Sequence, residues 1–580
     1  QGATGGPVSI LNNNLLGSSD FLTGTFPAQY GNRMSAVFDL KMRNGNNEKT
    51  EYTGQVGING LEAGIEGPLR WKKDTAEKKL RSNNGSFLIN YRYSTFTFFK
   101  MLGISFGVSG IPTYQDLSYK INVPTTKAGV FSLWGIGGIS DIALLDSEKD
   151  STDWTFTGTG EDLRFGSKMG ATGLSHLYFF SDKISGKLNV SFSGSQNKVT
   201  DDTLSASKEP FRIYTNQSSD WQYFANYTLT DKINAHHLLK AGITWKDMFA
   251  DYNATYWSRH DKMNLNQFKV RDNTTAFQSF LHWQYRITEN LMLNNGVHFN
   301  SFALSKSYAI EPRTGLRWQF LPKQSLSLAA GMHSQTLPLV YYFYASYDSL
   351  TNKYSNTNRS LDFSKSLQYV LGYDFNFIKD FRFKIETYYQ QLYNIPIQQY
   401  HQSSFSTINT GNELDGLTFK DSLINKGTGF NYGAEITIEK FFSKRYYFLS
   451  TLSLYQSKYK GSDDILRNTA FNGNYVYNLL GGTEIPAGGK KNQLIGFDVR
   501  MTLSGGNRYT PIDIQQSILR KSAVYIDSMA FSKQFHSYQK IDIKISYRIN
   551  SKKVSHYFFV HVENILNRKN ILQRIYNDNK

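Results

Sequence analysis

The sequence predicts an all-β fold: a transmembrane antiparallel β-barrel of about 22 strands, closed around the last part of a smaller domain. Three observations lead there. Apolar and polar residues alternate with period two along most of the chain. The alternating segments run about ten residues or more, the length a tilted membrane strand needs, whereas soluble strands are commonly about half that. The connections between them are short and long in turn, as in barrels with tight turns at one end and loops at the other.

The alternation is explicit in several segments. Leu239, Ala241, Ile243 and Trp245 oppose Lys240, Gly242, Thr244 and Lys246. Phe381, Phe383, Ile385 and Tyr389 oppose Arg382, Lys384, Glu386 and Gln390. The same holds for Tyr432–Glu439, Ile495–Met501 and Ile541–Arg548. Successive side chains of a strand point to opposite faces, so each segment has one apolar and one polar face. Short connections are expected at Pro124–Lys127, Ser181–Lys183, Thr230–Ala235, Thr288–Asn290, Leu321–Gln324, Ile378–Asp380, Ser443–Arg445 and Asn550–Lys553. Long ones are expected at Ile139–Lys168, Gly194–Asp220, Ala250–Asn273, Ser334–Ser364, Asn394–Gly429 and Ser504–His536. About 21 alternating segments follow Tyr52, and single-chain bacterial barrels have even numbers, so the last strand is expected beyond Lys580. Barrels of that size are plugged rather than open. Trp221, Tyr223, Trp283, Tyr285, Tyr389 and Tyr557 fit interfacial aromatic girdles.

Composition agrees. The 580 residues include 38 Tyr and 41 Phe but only 12 Pro. Mean hydropathy is −0.45. A polar average with abundant aromatics suits a barrel whose outward face alone is apolar. No apolar run is long enough for a membrane-spanning helix. The formal net charge of +17 is spread one or two residues per strand, which suits solubility and an anionic membrane surface and carries no nucleic-acid reader motif. Cysteine is absent, which excludes thiolate metal sites, thiol nucleophiles and disulfides.

The stretch Pro27–Asn46, PAQYGNRMSAVFDLKMRNGN, matches nothing downstream. With its flanks, SSDFLTGTFPAQYGNRMSAVFDLKMRNGN, YTGQVGINGLEAGIEGPL and GSFLINYRYS, it resembles the plug-to-barrel junction of TonB-dependent outer-membrane receptors. The resemblance is to Bacteroidota members that carry a carboxypeptidase-regulatory-like domain at the N-terminus. VENILNRKNI resembles that family's penultimate-strand signature. Ser35-Ala36 stands where many members have a Gly pair, and the Ala-Asn-Gly-Val motif of starch-utilisation-type members is absent, which points away from a glycan receptor with a lipoprotein lid. The resemblance implies residues 1–47 as the C-terminal part of a plug domain, with Asn44–Asn47 as hinge, and 48–580 as the barrel with long extracellular loops. It implies energised uptake across the outer membrane, driven by the TonB complex through an N-terminal segment that this chain does not include. Outer-membrane lipid and lipopolysaccharide would surround the barrel; a surface lipoprotein or other outer-membrane subunits are further candidate partners. The alternatives are a barrel subunit of a larger outer-membrane complex, a passive porin, or a barrel enzyme.

Enzyme and cofactor motifs fail. His236 and His237 are adjacent, so on a strand they cannot share an ion; His282, His298 and His333 are isolated on strands. A phosphate loop ending at Gly489-Lys490 would need Gly where Glu484 stands and Ser or Thr at Lys491. The run Gly135–Gly138 reads as close strand packing. No cofactor or metal is expected. Two sets of side chains remain. Tyr252, Tyr256 and Trp257 in one outer loop, and Tyr341, Tyr342, Phe343 and Tyr344 in another, either contact a ligand or pack loop against loop. Inside, Arg33 and Arg43 are candidates to pair with the barrel carboxylates Glu435, Glu439 or Asp498, because a buried charge needs a partner or water.

Overall fold

A computed structural model describes all residues except 1–9, 58–59, 70–84, 96–112, 149–159, 206, 259–260, 349, 352, 401, 412–421, 489–491, 521, 575 and 577–580. Its antiparallel strands form one sheet closed on itself, from Glu51–Gly57 to Ser555–Val562, with 22 strands in the closed order. One of them, Leu466–Asn468, is a three-residue piece on the tip of Tyr446–Lys460. Tyr475–Pro486 pairs with that same strand lower down.

The burial pattern is inverted relative to a soluble protein. Ile243, Trp245, Leu281, Leu328 and Leu371 are exposed on the outer face. Ser118, Asn300, Ser366 and Gln368 are buried on the inner one. Period two therefore separates lipid from lumen. Trp283 and Tyr285 stack with His237 near the turn end, and Trp221 and Tyr223 gather on Phe249 higher up. Trp283 lies opposite Leu239, and Trp221 opposite Phe249 of the same strand. In a tilted strand that separation spans about 25 Å, the height of the apolar band. Tyr389 sits between Tyr369 and Tyr432, all three exposed.

All eight expected short connections are short. One two-residue turn, Ser443–Tyr446, puts Lys444 and Arg445 both at positive φ, as a type I′ hairpin requires. At the other end two expectations fail. Gly194–Asp220 and Ala250–Asn273 are mostly strand, not loop: Ile184–Leu204, Pro210–Asp231, His237–Ser258 and Met263–Arg286 run 21, 22, 22 and 24 residues. They continue well above the membrane. There the outward face meets water, so Asp251, Asn253 and Thr255 replace apolar residues and the alternation loses its contrast. Of the other four, 336–363, 399–422 and 505–537 are long connections, and Ile139–Lys168 narrows to 146–160, of which 149–159 lie outside the described residues.

This division makes a depth-dependent prediction. Ile243→Arg, on the lipid face, should destabilise folding into liposomes by about 2–4 kcal/mol. Asn253→Arg, further up the same face, should change it by less than about 0.5 kcal/mol. Urea titration of the two variants measures both.

Candidate functional site: a segment locked in the lumen

The chain from Ile10 to Asn46 lies inside the barrel. Its own secondary structure is one small hairpin, Asp20–Thr23 against Ala36–Asp39. Between those strands the loop Gly24–Ser35 reaches the inner wall. Its contacts explain its sequence.

Arg313, on the strand Ser307–Leu321, points inward and is almost fully buried. One terminal nitrogen lies 2.9 Å from the carbonyl oxygen of Pro27, 2.7 Å from that of Tyr30 and 3.3 Å from that of Phe26. The other pairs with Glu311, two residues earlier on the same face. Glu311 also accepts from Asn300, at 2.6 Å, and from Ser334. His298 donates from Nδ1 to the Ala28 carbonyl at 2.7 Å. The Phe26 ring lies between His333, 4.3 Å away, and the Arg313 guanidinium at 4.9 Å. Further round the wall, Gln368 and Gln390 both donate to the Met34 carbonyl, and Asn32 accepts from the Thr336 amide. The wall thus reads the loop's backbone, and a planar fork suits that role better than an ammonium.

Glycines allow the approach. A Cβ on Gly31 would lie 1.9 Å from Nε2 of His298. One on Gly45 would lie 2.0 Å from the Phe87 carbonyl oxygen. Gly45 belongs to the passage from luminal segment to first barrel strand. There Arg43 forms two bonds to Glu66, at 2.7 and 2.8 Å, and the Asn46 amide donates to the same carboxylate. Lys120 holds the Met42 carbonyl, and Asn12, Asn14 and Asn90 converge on Glu62.

The structure places Arg33 and Arg43 in the lumen but pairs neither with the three expected carboxylates. Arg43 takes Glu66, and among the described residues Arg33 bonds only the Asn32 carbonyl. Glu435 lies opposite Glu386, which pairs with Lys384; Glu439 lies opposite Arg382, which pairs with Asp374. Asp498 accepts from Tyr447 and faces Lys544. All three carboxylates belong to wall-to-wall pairing. Sequence reasoning missed Arg313 and Glu311, although same-face spacing of two residues was a visible signal. It also left His298 and His333 isolated, whereas both face the one loop.

The aromatic outer segment folds over the barrel mouth as a lid in the geometric sense, with most of its rings buried. The helical turn Leu339–Tyr342 and the residues after it bend into the barrel mouth. Tyr341, Tyr342 and Phe343 are at most 1% exposed, and Tyr252 is 3%. Tyr341 and Tyr342 pack with Phe302, Leu361, Phe363 and Leu423. Phe343 packs with Tyr252, Ala250, Ala254 and Phe268. Burial pushes the Tyr342 phenol well above its ordinary range. Tyr344 is half-buried against Phe268, Trp257 lies edge-on to Phe211, and Tyr256 is exposed. For the four buried residues the packing alternative holds. Between lid and luminal segment is a cavity of about 460 Å³, reached by Leu339 from above and Ile10 from below, with Met169, Asp220 and Met248 on its wall.

The remaining motifs take structural places. His236 bonds the Arg286 carbonyl, and Gly135 packs under the Tyr119 ring. Glu484 lies in a strand facing Arg548; Gly489, Lys490 and Lys491 lie outside the described residues. Among the described residues no group of three His, Asp or Glu is arranged to hold a metal ion.

A closed sheet, apolar outside and polar inside, with a chain segment lodged in its lumen, defines an outer-membrane barrel with an occupied channel. Residues 102–565 match the family described as TonB dependent receptor-like, beta-barrel, and the chain belongs to that family. Its members are outer-membrane transporters rather than enzymes, and membership implies interaction with the TonB complex. No curated protein matches the chain by sequence. The pyoverdine outer membrane receptor FpvA from Pseudomonas aeruginosa PAO1 is similar in structure, with a TM-score of 0.67 at 11% identity, over 96% of this chain and 80% of that one. The Ferric-Catecholate import receptor Fiu from K12 E. coli gives 0.67 at 10%, over 96% and 82%. The ferric yersiniabactin uptake receptor FyuA from Yersinia pestis gives 0.64 at 10%, over 95% and 80%. At these identities the likeness is one of fold.

Two predictions follow from the contacts. Arg313→Met leaves Glu311 buried without its cation, and loss of one partner of a buried pair costs about 3–5 kcal/mol. The loop Gly24–Ser35 should then become sensitive to added protease, and Arg313→Lys should not fully restore protection. Tyr342→Ala removes a buried aromatic, worth about 3–5 kcal/mol. Cleavage within 336–363 should rise while the rest of the barrel stays resistant; mass spectrometry of the fragments locates the cuts.

Proposed function

We propose that this protein imports a substrate too large or scarce for porins across the outer membrane, by TonB-driven displacement of the luminal segment. The observation that carries this is how the segment is held. The loop Gly24–Ser35 meets the wall mainly through its backbone carbonyls, contacts that can break and re-form without unfolding the barrel. On this reading residues 1–47 are the C-terminal part of a plug domain, 48–580 are barrel, and Asn44–Asn47 is the hinge. The TonB complex pulls on the N-terminal side of the luminal segment. The Bacteroidota type is carried by the junction motif around Tyr30-Gly31 and Gly45. A metal chelate, a peptide or an oligosaccharide would suit the route. The chelate is first to test, because the similar structures are receptors for pyoverdine, ferric catecholate and ferric yersiniabactin. Tyr256, exposed at the mouth, is the outer-loop candidate that burial leaves available for ligand contact.

One feature favours the second reading, a barrel subunit of a larger complex. The outer helix Ile514–Arg520 exposes Ile514, Ile518 and Leu519 together. Lipopolysaccharide or a surface lipoprotein would cover such a face.

An engineered tether separates the two. An ideal Cβ on Gly24 lies 3.9 Å from the Val370 Cβ, within disulfide range, and the chain has no cysteine to compete. In Gly24→Cys/Val370→Cys, oxidation should abolish energised uptake of a ferric chelate and reduction should restore it. Uptake at the wild-type rate by the oxidised protein would rule out displacement of the segment. Uptake that survives collapse of the proton gradient would indicate a passive pore.

A further inference from the structure

The turn end of the barrel carries charge of mainly one sign. All of the short connections except Thr288–Asn290 contain a Lys or Arg, and Arg286 stands just before that one. Most also expose a large apolar residue beside the cation. Phe180 accompanies Lys183, Ile233 accompanies Lys232, and Ile287 accompanies Arg286. Further round the rim Leu321 accompanies Lys323, Ile378 accompanies Lys379, Phe442 accompanies Lys444, and Val554 accompanies Lys553. The cations are all exposed, and among the described residues none of them forms an ion pair. Lys183 reaches only the Ile233 carbonyl, at 3.4 Å. The carboxylates of these connections are fewer: Asp182, Asp231, Glu289 and Asp380.

Two comparisons set these cations apart. In the outer connections, cations pair with carboxylates: Arg359 with Asp272, Lys365 with Asp362, Lys460 with Asp464, and Arg467 with Asp463. At the turn end itself, Lys440 shows the other case. Its ammonium donates to the carbonyls of Phe441, Ser443 and Tyr446 at 3.1, 2.9 and 2.9 Å, and the residue is buried. A cation that holds a turn together is bonded and covered; the rim cations are neither.

The rim is continuous with the lipid-facing wall. The stacked rings of His237, Trp283 and Tyr285 lie within a few residues of Lys232 and Arg286. Short turns stay close to the bilayer surface, so their apolar residues reach the boundary between acyl chains and headgroups. A Lys or Arg there lays its stem on apolar surface and holds its charge among the headgroups. A soluble protein partner would dock on one arc and would not need the same pair of residues in turn after turn. A leaflet meets the whole circumference at once. Its phosphates supply the opposite charge, and basic residues beside apolar ones at an interface favour anionic lipid.

We propose that the turn-end rim recognises anionic phospholipid in the leaflet that faces it, with the Lys and Arg of the turns on the phosphates and the neighbouring apolar residues at the acyl boundary. This concerns the outside of the wall and does not depend on the import reading.

The test uses the folded full chain, reconstituted in vesicles of equal parts phosphatidylglycerol and phosphatidylethanolamine and re-extracted in detergent at low ionic strength. Mass spectrometry quantifies the lipid that stays bound. Phosphatidylglycerol should be retained over phosphatidylethanolamine about tenfold. Salt at about 1 M, where the screening length is about 3 Å, should bring the ratio close to parity. Lys183→Gln/Lys232→Gln/Arg286→Gln, in three successive turns, should lower the ratio at least about threefold. Lys208→Gln/Lys262→Gln/Lys269→Gln, at the other end of the same strands, should leave it unchanged. Heat-modifiable migration in gels shows that each variant barrel is folded. No preference in the unaltered protein, a preference that high salt leaves intact, or equal loss in both triple variants would overturn the proposal. Sedimentation with peptidoglycan sacculi in place of a lipid preference would overturn it too, and would assign the rim to the cell wall. The salt series needs no variant, so the proposal stays falsifiable if a triple variant fails to fold. Neither arm needs uptake, so failure here is distinct from failure of the tether experiment.

Discussion

A guanidinium buried among carbonyl oxygens is the contact on which the rest of this structure depends. Arg313 holds three carbonyls of the luminal loop and is itself held by Glu311. Hydrogen bonds to charged groups contribute about 1.5–3 kcal/mol each, more than neutral ones. The carboxylate's remaining lone pairs go to Asn300 and Ser334, so the ion pair is desolvated without being left unsatisfied. Because the acceptors are backbone atoms, the loop's side chains were free to be chosen for shape. Gly31 admits His298, Ala28 fits against Gly296, and Phe26 fills the space between Arg313 and His333.

That economy of side-chain recognition explains what could be read from the sequence and what could not. The barrel was legible because lipid on one side and water on the other enforce period two over every membrane crossing. The eight tight turns were legible because they interrupt it. The upper halves of the strands from Ile184 to Arg286 were not, since water on both sides permits polar residues on both faces. The luminal position of Arg33 and Arg43 followed from their place in the junction. Their partners did not: Glu66 becomes adjacent to Arg43 only because the chain turns back on itself after Gly45. Glu435, Glu439 and Asp498 were reasonable candidates by face, but neighbouring strands already satisfied them.

The outer aromatics show the same limit from the other side. Composition alone cannot separate a ligand platform from a hydrophobic lid, since both need Tyr and Phe. Topology decides. The connection 336–363 joins two neighbouring strands at the mouth and is long enough to fold back into it. Once inside, its aromatics meet the inward face of the extended strands, where Ala250 and Ala254 leave room for Phe343 and Tyr252. The small residues of the wall and the large ones of the lid are complementary, a relation that appears only when two distant segments are brought together.

Lid and lock also share a wall. Phe302 packs under Tyr342, and two residues down the same strand Asn300 joins Glu311 to His298. Ser334, which bonds Glu311, lies just before the lid; Thr336, at its start, bonds Asn32 of the luminal loop. A displacement of the lid therefore reaches the luminal loop through bonded neighbours rather than through open space. The strand Leu291–Phe302 and the start of 336–363 are each in contact with both barriers, the one above the cavity and the one below it. In a transporter that must not leave both barriers open together, that shared support gives the outer barrier a direct mechanical influence on the inner one.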